Sequence, residues 1–65
     1  MNLRKARENA KMTLKEVGEA TGVHFTTIQN FETGKRNISP LLLQRLAELY
    51  GVKVEDIEID NVTRW

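Results

Sequence analysis

The sequence predicts an all-α fold, a compact domain of four to five short helices ending in a short tail or strand. Three observations carry this expectation. Apolar residues recur at helical spacing in successive short segments. The segments are punctuated by helix-starting residues, Thr13 and Ser39, and by helix-stopping glycines, Gly22, Gly34 and Gly51. The connections are so short that neighbouring helices must run antiparallel or cross.

The elements follow in order. Over residues 2–10, Leu3, Ala6 and Ala10 fall on one helical face. Thr13 offers an N-cap oxygen, and Glu16 three residues later completes a capping-box pattern. This opens a second helix over 14–21, with Val17 and Ala20 inward, which Gly22 stops. Val23 and His24 bridge to a third helix over 25–33. Ile28 and Phe31 are its inward pair, and Gly34 ends it. Lys35, Arg36 and Asn37 form a polar loop. Ser39 then caps a fourth helix with Pro40 at its first position. That helix runs over 40–50, turns Leu43, Leu46, Ala47 and Tyr50 inward, and stops at Gly51. Residues 54–57 make one more turn. Residues 58–65 alternate weakly through Ile59 and Val62, as a short strand or a tail would.

Composition narrows the function classes. A chain of 65 residues is expected to be one domain, and a small one. Such domains bury only about 60% of their unfolded surface, so many add disulfides or metals. With no Cys and one His, a disulfide, a thiolate site and a multi-His metal site are all excluded. No cofactor is expected. No apolar run approaches the ~20 residues of a membrane span, and Arg4, Lys5, Arg7 and Lys11 are not followed by the apolar core of a signal peptide. The expected location is the cytoplasm of a bacterium, or a phage within one. Ser39, Glu48 and His24 have no spacing that pairs a nucleophile with its base, so catalysis is not expected.

Net charge is only +1, but it is unevenly spread. Residues 1–45 hold eight bases against four acids, and residues 46–65 hold two bases against five acids. A basic body with an acidic end suits a polyanion bound on one side. Ordinary solvated charge would look the same.

The informative stretch is Thr13–Lys35, TLKEVGEATGVHFTTIQNFETGK. Two helices of about eight residues flank a turn at Gly22. Gly18 sits where a second helix can cross closely, and Val17, Val23 and Ile28 can lock the crossing. Together with Leu3, Arg7, Thr27, Glu32, Gly34, Lys35, Asn37, Ala47, Gly51, Val52 and Ile57, this spacing resembles the Cro and lambda-repressor-like (XRE-type) helix-turn-helix DNA-binding family over about residues 2–57.

The resemblance implies a lambda-repressor-like domain over residues 1–57, with 58–65 as a tail. It implies that helix 25–33 enters the major groove of double-stranded DNA by its N-terminal end. The family's base-reading positions fall on Phe25, Thr26, Gln29 and Asn30. Amides such as Gln29 and Asn30 can pair with adenine N6 and N7, and Thr26 offers a methyl or a hydroxyl. Phosphate-contact positions fall on Thr13, His24, Thr27, Lys35, Arg36 and Asn37. Arg7 and Glu32 match a buried ion pair of the family. The chain departs from the family pattern where Gln is replaced by Leu14, Leu by Ala6, Ser or Thr by His24, and Pro by Ile38, with the proline at Pro40 instead.

Several residues admit two readings. Phe25 can touch thymine methyls or pack on its own helix. His24 can cap the helix, contact phosphate, or simply be exposed. Leu42 and Leu49, a heptad apart beside the core stripe, can widen the buried face or form a partner surface. With Ile57, Ile59, Val62 and Trp65 they make an expected homodimer interface over the C-terminal third, unless 59–65 fold back on their own subunit. One recognition helix touches few base pairs, and a two-fold dimer on a palindromic operator would double the reading. The expected function is a sequence-specific transcriptional regulator, most simply a repressor, with no membrane or small-molecule partner. A protein-interaction module of the same fold, such as an antirepressor or antitoxin-like partner, is the other class.

Overall fold

The computed structural model describes residues 1–63. It contains four α-helices: α1 (Leu3–Asn9), α2 (Leu14–Thr21), α3 (Phe25–Thr33) and α4 (Pro40–Tyr50). A single 3-10 turn, Val54–Asp56, follows. There is no strand among the described residues; the only β-type pairing is an isolated parallel bridge between Ile38 and Val62.

Each helix start is fixed by a side chain that accepts from an otherwise unpaired backbone N–H. Asn2 accepts from Lys5 and Ser39 accepts from Leu42. At α2 the capping box is complete: Thr13 Oγ1 accepts from Glu16 N at 3.1 Å, and Glu16 accepts from Thr13 N at 2.9 Å. Those bonds hold the Glu16 carboxyl below its ordinary range, the Thr13 backbone contributing most. The α1–α2 turn is less relaxed, because Lys11 there sits at φ 58, a left-handed conformation that disfavours a side chain.

α2 packs on α3, and α1 packs on α4. The α2–α3 crossing depends on Gly18. A Cβ built on it would lie 2.7 Å from the Val23 carbonyl oxygen, so only glycine lets the turn approach α2 this closely. Gly22, at φ 73, ends α2 in the left-handed conformation and opens the three-residue turn to α3. Behind this corner, Leu3, Ala6, Val17, Ile28, Phe31, Ile38, Leu43, Leu46, Ala47, Tyr50 and Ile57 close into one core. Ile28, Ile38, Leu46 and Val17 are fully buried, and each such side chain contributes roughly 1.5–3 kcal/mol of apolar transfer.

Three expectations are corrected. Ala20 is exposed rather than inward. It borders an open groove with Thr21, Arg45, Glu48 and Leu49. Ile57, expected on a dimer face, is 6% exposed and belongs to the core. Residues 58–63 fold back on their own subunit. Glu58 N donates to Met1 O at 2.7 Å, Ile38 N donates to Asn61 O at 2.8 Å, and Thr63 N donates to Ile38 O at 2.9 Å. Ile59 and Val62 are thereby packed, partly buried, against the core. This segment is a strap across the end of the α3–α4 loop, so Ile59 and Val62 offer little free apolar surface to a second subunit. Trp65, also expected in the interface, lies outside the described residues.

Candidate nucleic-acid interface

The α3 helix divides into an inner and an outer face. Ile28 and Phe31 point into the core. Next to them Glu32 takes a fork from α1: Arg7 Nε donates to its Oε2 at 2.7 Å and Arg7 Nη2 to its Oε1 at 3.2 Å. The two side chains are 12% and 5% exposed. Arg7 Nη1 also donates to the Met12 carbonyl at 3.0 Å, so one guanidinium joins α1, the α1–α2 turn and α3. The hydrogen bond to Glu32 raises the Arg7 pKa further above its already high ordinary value. This bidentate geometry fixes the rotation of α3 about its own axis.

The opposite face is open. Phe25, Thr26 and Gln29 are exposed, and Asn30 is half-buried. Among the described residues, the Thr26, Gln29 and Asn30 side chains make no intramolecular hydrogen bond, so their donors and acceptors are uncommitted. Phe25 is 46% exposed and its ring lies 4.5 Å from that of His24, tilted by 30°. His24 caps the helix: its Nδ1 accepts from Thr26 N at 3.2 Å. A neutral imidazole accepting at Nδ1 carries its proton on Nε2, which leaves one donor for an outside group. His24 and Phe25 share an open groove with Lys15, Gly18 and Glu19. Gln29 lies in a second groove beside Arg4 and Leu14.

Basic and polar groups bracket this face. Thr13 uses its hydroxyl oxygen as the α2 cap but keeps its hydroxyl proton. Thr27 is half-buried, one turn from the helix start. Lys35, Arg36 and Asn37 are exposed beyond the C-terminus of α3, and neither Lys35 nor Arg36 is in an ion pair among the described residues. The loop is held from behind. Arg36 N donates to Asn30 O at 3.2 Å, and Asn61 Nδ2 donates to Phe31 O at 3.0 Å and to Arg36 O at 2.8 Å.

Sequence reasoning missed Lys15 and Asn61. Lys15 follows from helical spacing, since it lies on α2 three residues before Gly18, the residue that touches the turn. Asn61 lies 30 residues from Phe31, and the only hint of it is the departure at Ile38. A proline there would lack the N–H that Asn61 O accepts.

A helix pair locked by Gly18 and Gly22, with the second helix exposing a polar face, is helix-turn-helix geometry. The model of the helix-turn-helix family of Cro/lambda-repressor-like (XRE) type matches residues 3–57. The chain belongs to this family. No curated protein and no solved structure matches it. The helix-turn-helix family is one of DNA-binding transcription regulators and is not enzymatic. Among the described residues, no helix of this helix-turn-helix domain is long and apolar enough to cross a membrane, and no group of His, Asp and Glu is arranged to hold a metal ion.

Proposed function

We propose that the chain is a sequence-specific repressor that binds a palindromic operator as a homodimer and acts by occupancy, in the cytoplasm of a bacterium or of a phage host. The observation that carries this reading is the outer face of α3, where the exposed Thr26 and Gln29 side chains make no hydrogen bond among the described residues. In the proposed complex Gln29 and Asn30 read base edges, and Thr26 and Phe25 supply further edge or thymine-methyl contacts. Thr13, His24, Thr27, Lys35, Arg36 and Asn37 hold phosphates on either side and set the register. Subunits pair through α4, where Leu41 is 63% and Leu49 36% exposed and Leu42 is partly covered. Arg45 and Glu48 lie on the same exposed stripe and, in an antiparallel two-fold contact, would face each other's counterparts.

Selection of bound sequences from a random duplex pool, followed by binding titrations at several salt concentrations, tests the proposal. The expected result is a palindromic consensus with half-sites about 10 bp apart. Lys35→Ala should weaken all sequences alike and lower the salt slope by about 1. Failure of the wild-type protein to bind any duplex would sink the reading. It would favour the protein-interaction alternative, for which the acidic residues 46–65 and the net charge of +1 speak.

A further inference from the structure

The strap 58–63 pairs with Ile38, the residue that follows the exposed loop Lys35–Asn37, and also holds the loop itself. One carboxamide, that of Asn61, spends both of its N–H groups on carbonyls five residues apart: Phe31 in the last turn of α3 and Arg36 in the loop. Two carbonyl acceptors require the amide nitrogen to face them, so the chemistry itself fixes which way the carboxamide is turned. The backbone of Asn61 takes a third anchor, the Ile38 N–H, and Thr63 N returns to Ile38 O. Arg36 is held at both its amide and its carbonyl, the former by Asn30 O. The loop backbone is therefore pinned on its inner side at Arg36 and Ile38, while the Lys35, Arg36 and Asn37 side chains stay exposed.

We propose that Asn61 is a positioning residue for nucleic-acid binding: it touches no DNA but fixes the loop whose Lys35 and Arg36 hold phosphate, so that the C-terminal strap sets affinity without altering sequence preference. The inference rests on the DNA-binding reading above. Its physical basis is pre-organisation. A loop ordered before contact avoids the ordering cost that a mobile loop meets on binding. Phosphate contacts carry affinity and base contacts carry preference, so loosening this loop should move the first and spare the second. The amide does this at position 61 because it carries two N–H donors on a short, uncharged side chain. A carboxylate there would face two carbonyl oxygens, and an apolar side chain would leave both without a donor.

The test compares wild type and Asn61→Ala on the selected operator and on a random duplex, across a salt series. Backbone amide exchange of Arg36 and Ile38 is read on the free proteins. The variant should bind both duplexes about fivefold to tenfold more weakly, with a salt slope lower by about 1, an unchanged consensus, and faster exchange at Arg36 and Ile38. Wild-type affinity and slope in a folded variant whose loop amides exchange faster would overturn the inference while leaving the DNA-binding reading intact. So would a loss confined to the operator, since that would make Asn61 a determinant of preference. A wild-type protein that binds neither duplex would remove the DNA-binding reading itself, and this inference with it. Should Asn61→Ala not fold, Asn61→Gln keeps the donors but sets them one methylene further out. It should shift the slope in the same direction by a smaller amount, and a wild-type slope for it would equally overturn the proposal.

Discussion

The inner and outer faces of α3 are built on opposite rules. On the inner face Ile28 and Phe31 are buried and both Glu32 oxygens are engaged by Arg7. On the outer face the Thr26 and Gln29 side chains are exposed and make no hydrogen bond among the described residues. Nine residues thus serve two separate purposes. The inner set fixes where the helix lies, and the outer set is free to be selected for what it touches. Substitutions on one face should change stability, and those on the other should change recognition.

The largest expected effect is at Glu32. Glu32→Ala leaves the Arg7 guanidinium buried without its partner and should cost on the order of 3 kcal/mol, enough to unfold much of a domain this small. A thermal melt within a degree or two of wild type would show that the pair does not hold the inner face. Gly18→Ala comes next. Its new methyl meets the Val23 carbonyl, and the shift it forces should cost about 1–3 kcal/mol. Because the helices must move apart, duplex binding should fall by more than the melting point alone accounts for; equal losses would assign Gly18 to packing only.

Gln29→Ala inverts the pattern. Stability should stay within about 0.5 kcal/mol of wild type, while preference at one operator position relaxes by roughly 1–3 kcal/mol. An unchanged selected consensus would mean that the outer face is read in a different register. The smallest effect concerns Tyr50, near the Arg7–Glu32 pair, whose buried hydroxyl has no hydrogen-bond partner among the described residues. Tyr50→Phe should be close to neutral or mildly stabilising at neutral pH. Burial, with a further push from Glu32, raises the Tyr50 pKa from 10.0 to about 12. A raised folded-state pKa stabilises fully below the ordinary value and loses that contribution as pH climbs through the folded value. Between pH 10 and about 12 the wild-type melting point should therefore drop more steeply than that of Tyr50→Phe. Parallel curves would show that the phenol reaches water.

Much of the fold is legible because its signals are local. Thr13 with Glu16, Ser39 with Pro40, and Gly22 and Gly34 each act within a few residues of their own position, and they mark where α2, α3 and α4 begin or end. The spacing of Leu43, Leu46, Ala47 and Tyr50 is likewise sufficient to orient α4. The misreadings lie where distant residues decide. Ala20 has the right period, but it borders an open groove beside α4 and not the core. Ile57 looks like surplus apolar surface until the core that receives it is complete. The strap depends on Asn61 meeting carbonyls 25 and 30 residues away, which no window of sequence displays. For the candidate interface, Phe25, Thr26 and Gln29 follow from the family resemblance, and α3 leaves all three exposed. The support behind Lys35 and Arg36 has no periodic signature at all.

The strap also bears on the order in which the domain assembles. α2 and α3 meet across a turn of three residues, so their pairing closes a very short loop. The strap closes loops of 25 to 57 residues, from Arg36 to Asn61 and from Met1 to Glu58. Closure entropy grows with loop length, so such contacts form late and open early. The helix pair should then acquire its crossing angle before the strap docks, and native-state hydrogen exchange should show Ile38 and Thr63 opening at lower free energy than Ile28. Equal protection at these sites would make the domain a single cooperative unit; unequal protection would give it a folded intermediate with α3 formed and the Lys35–Asn37 loop unfastened.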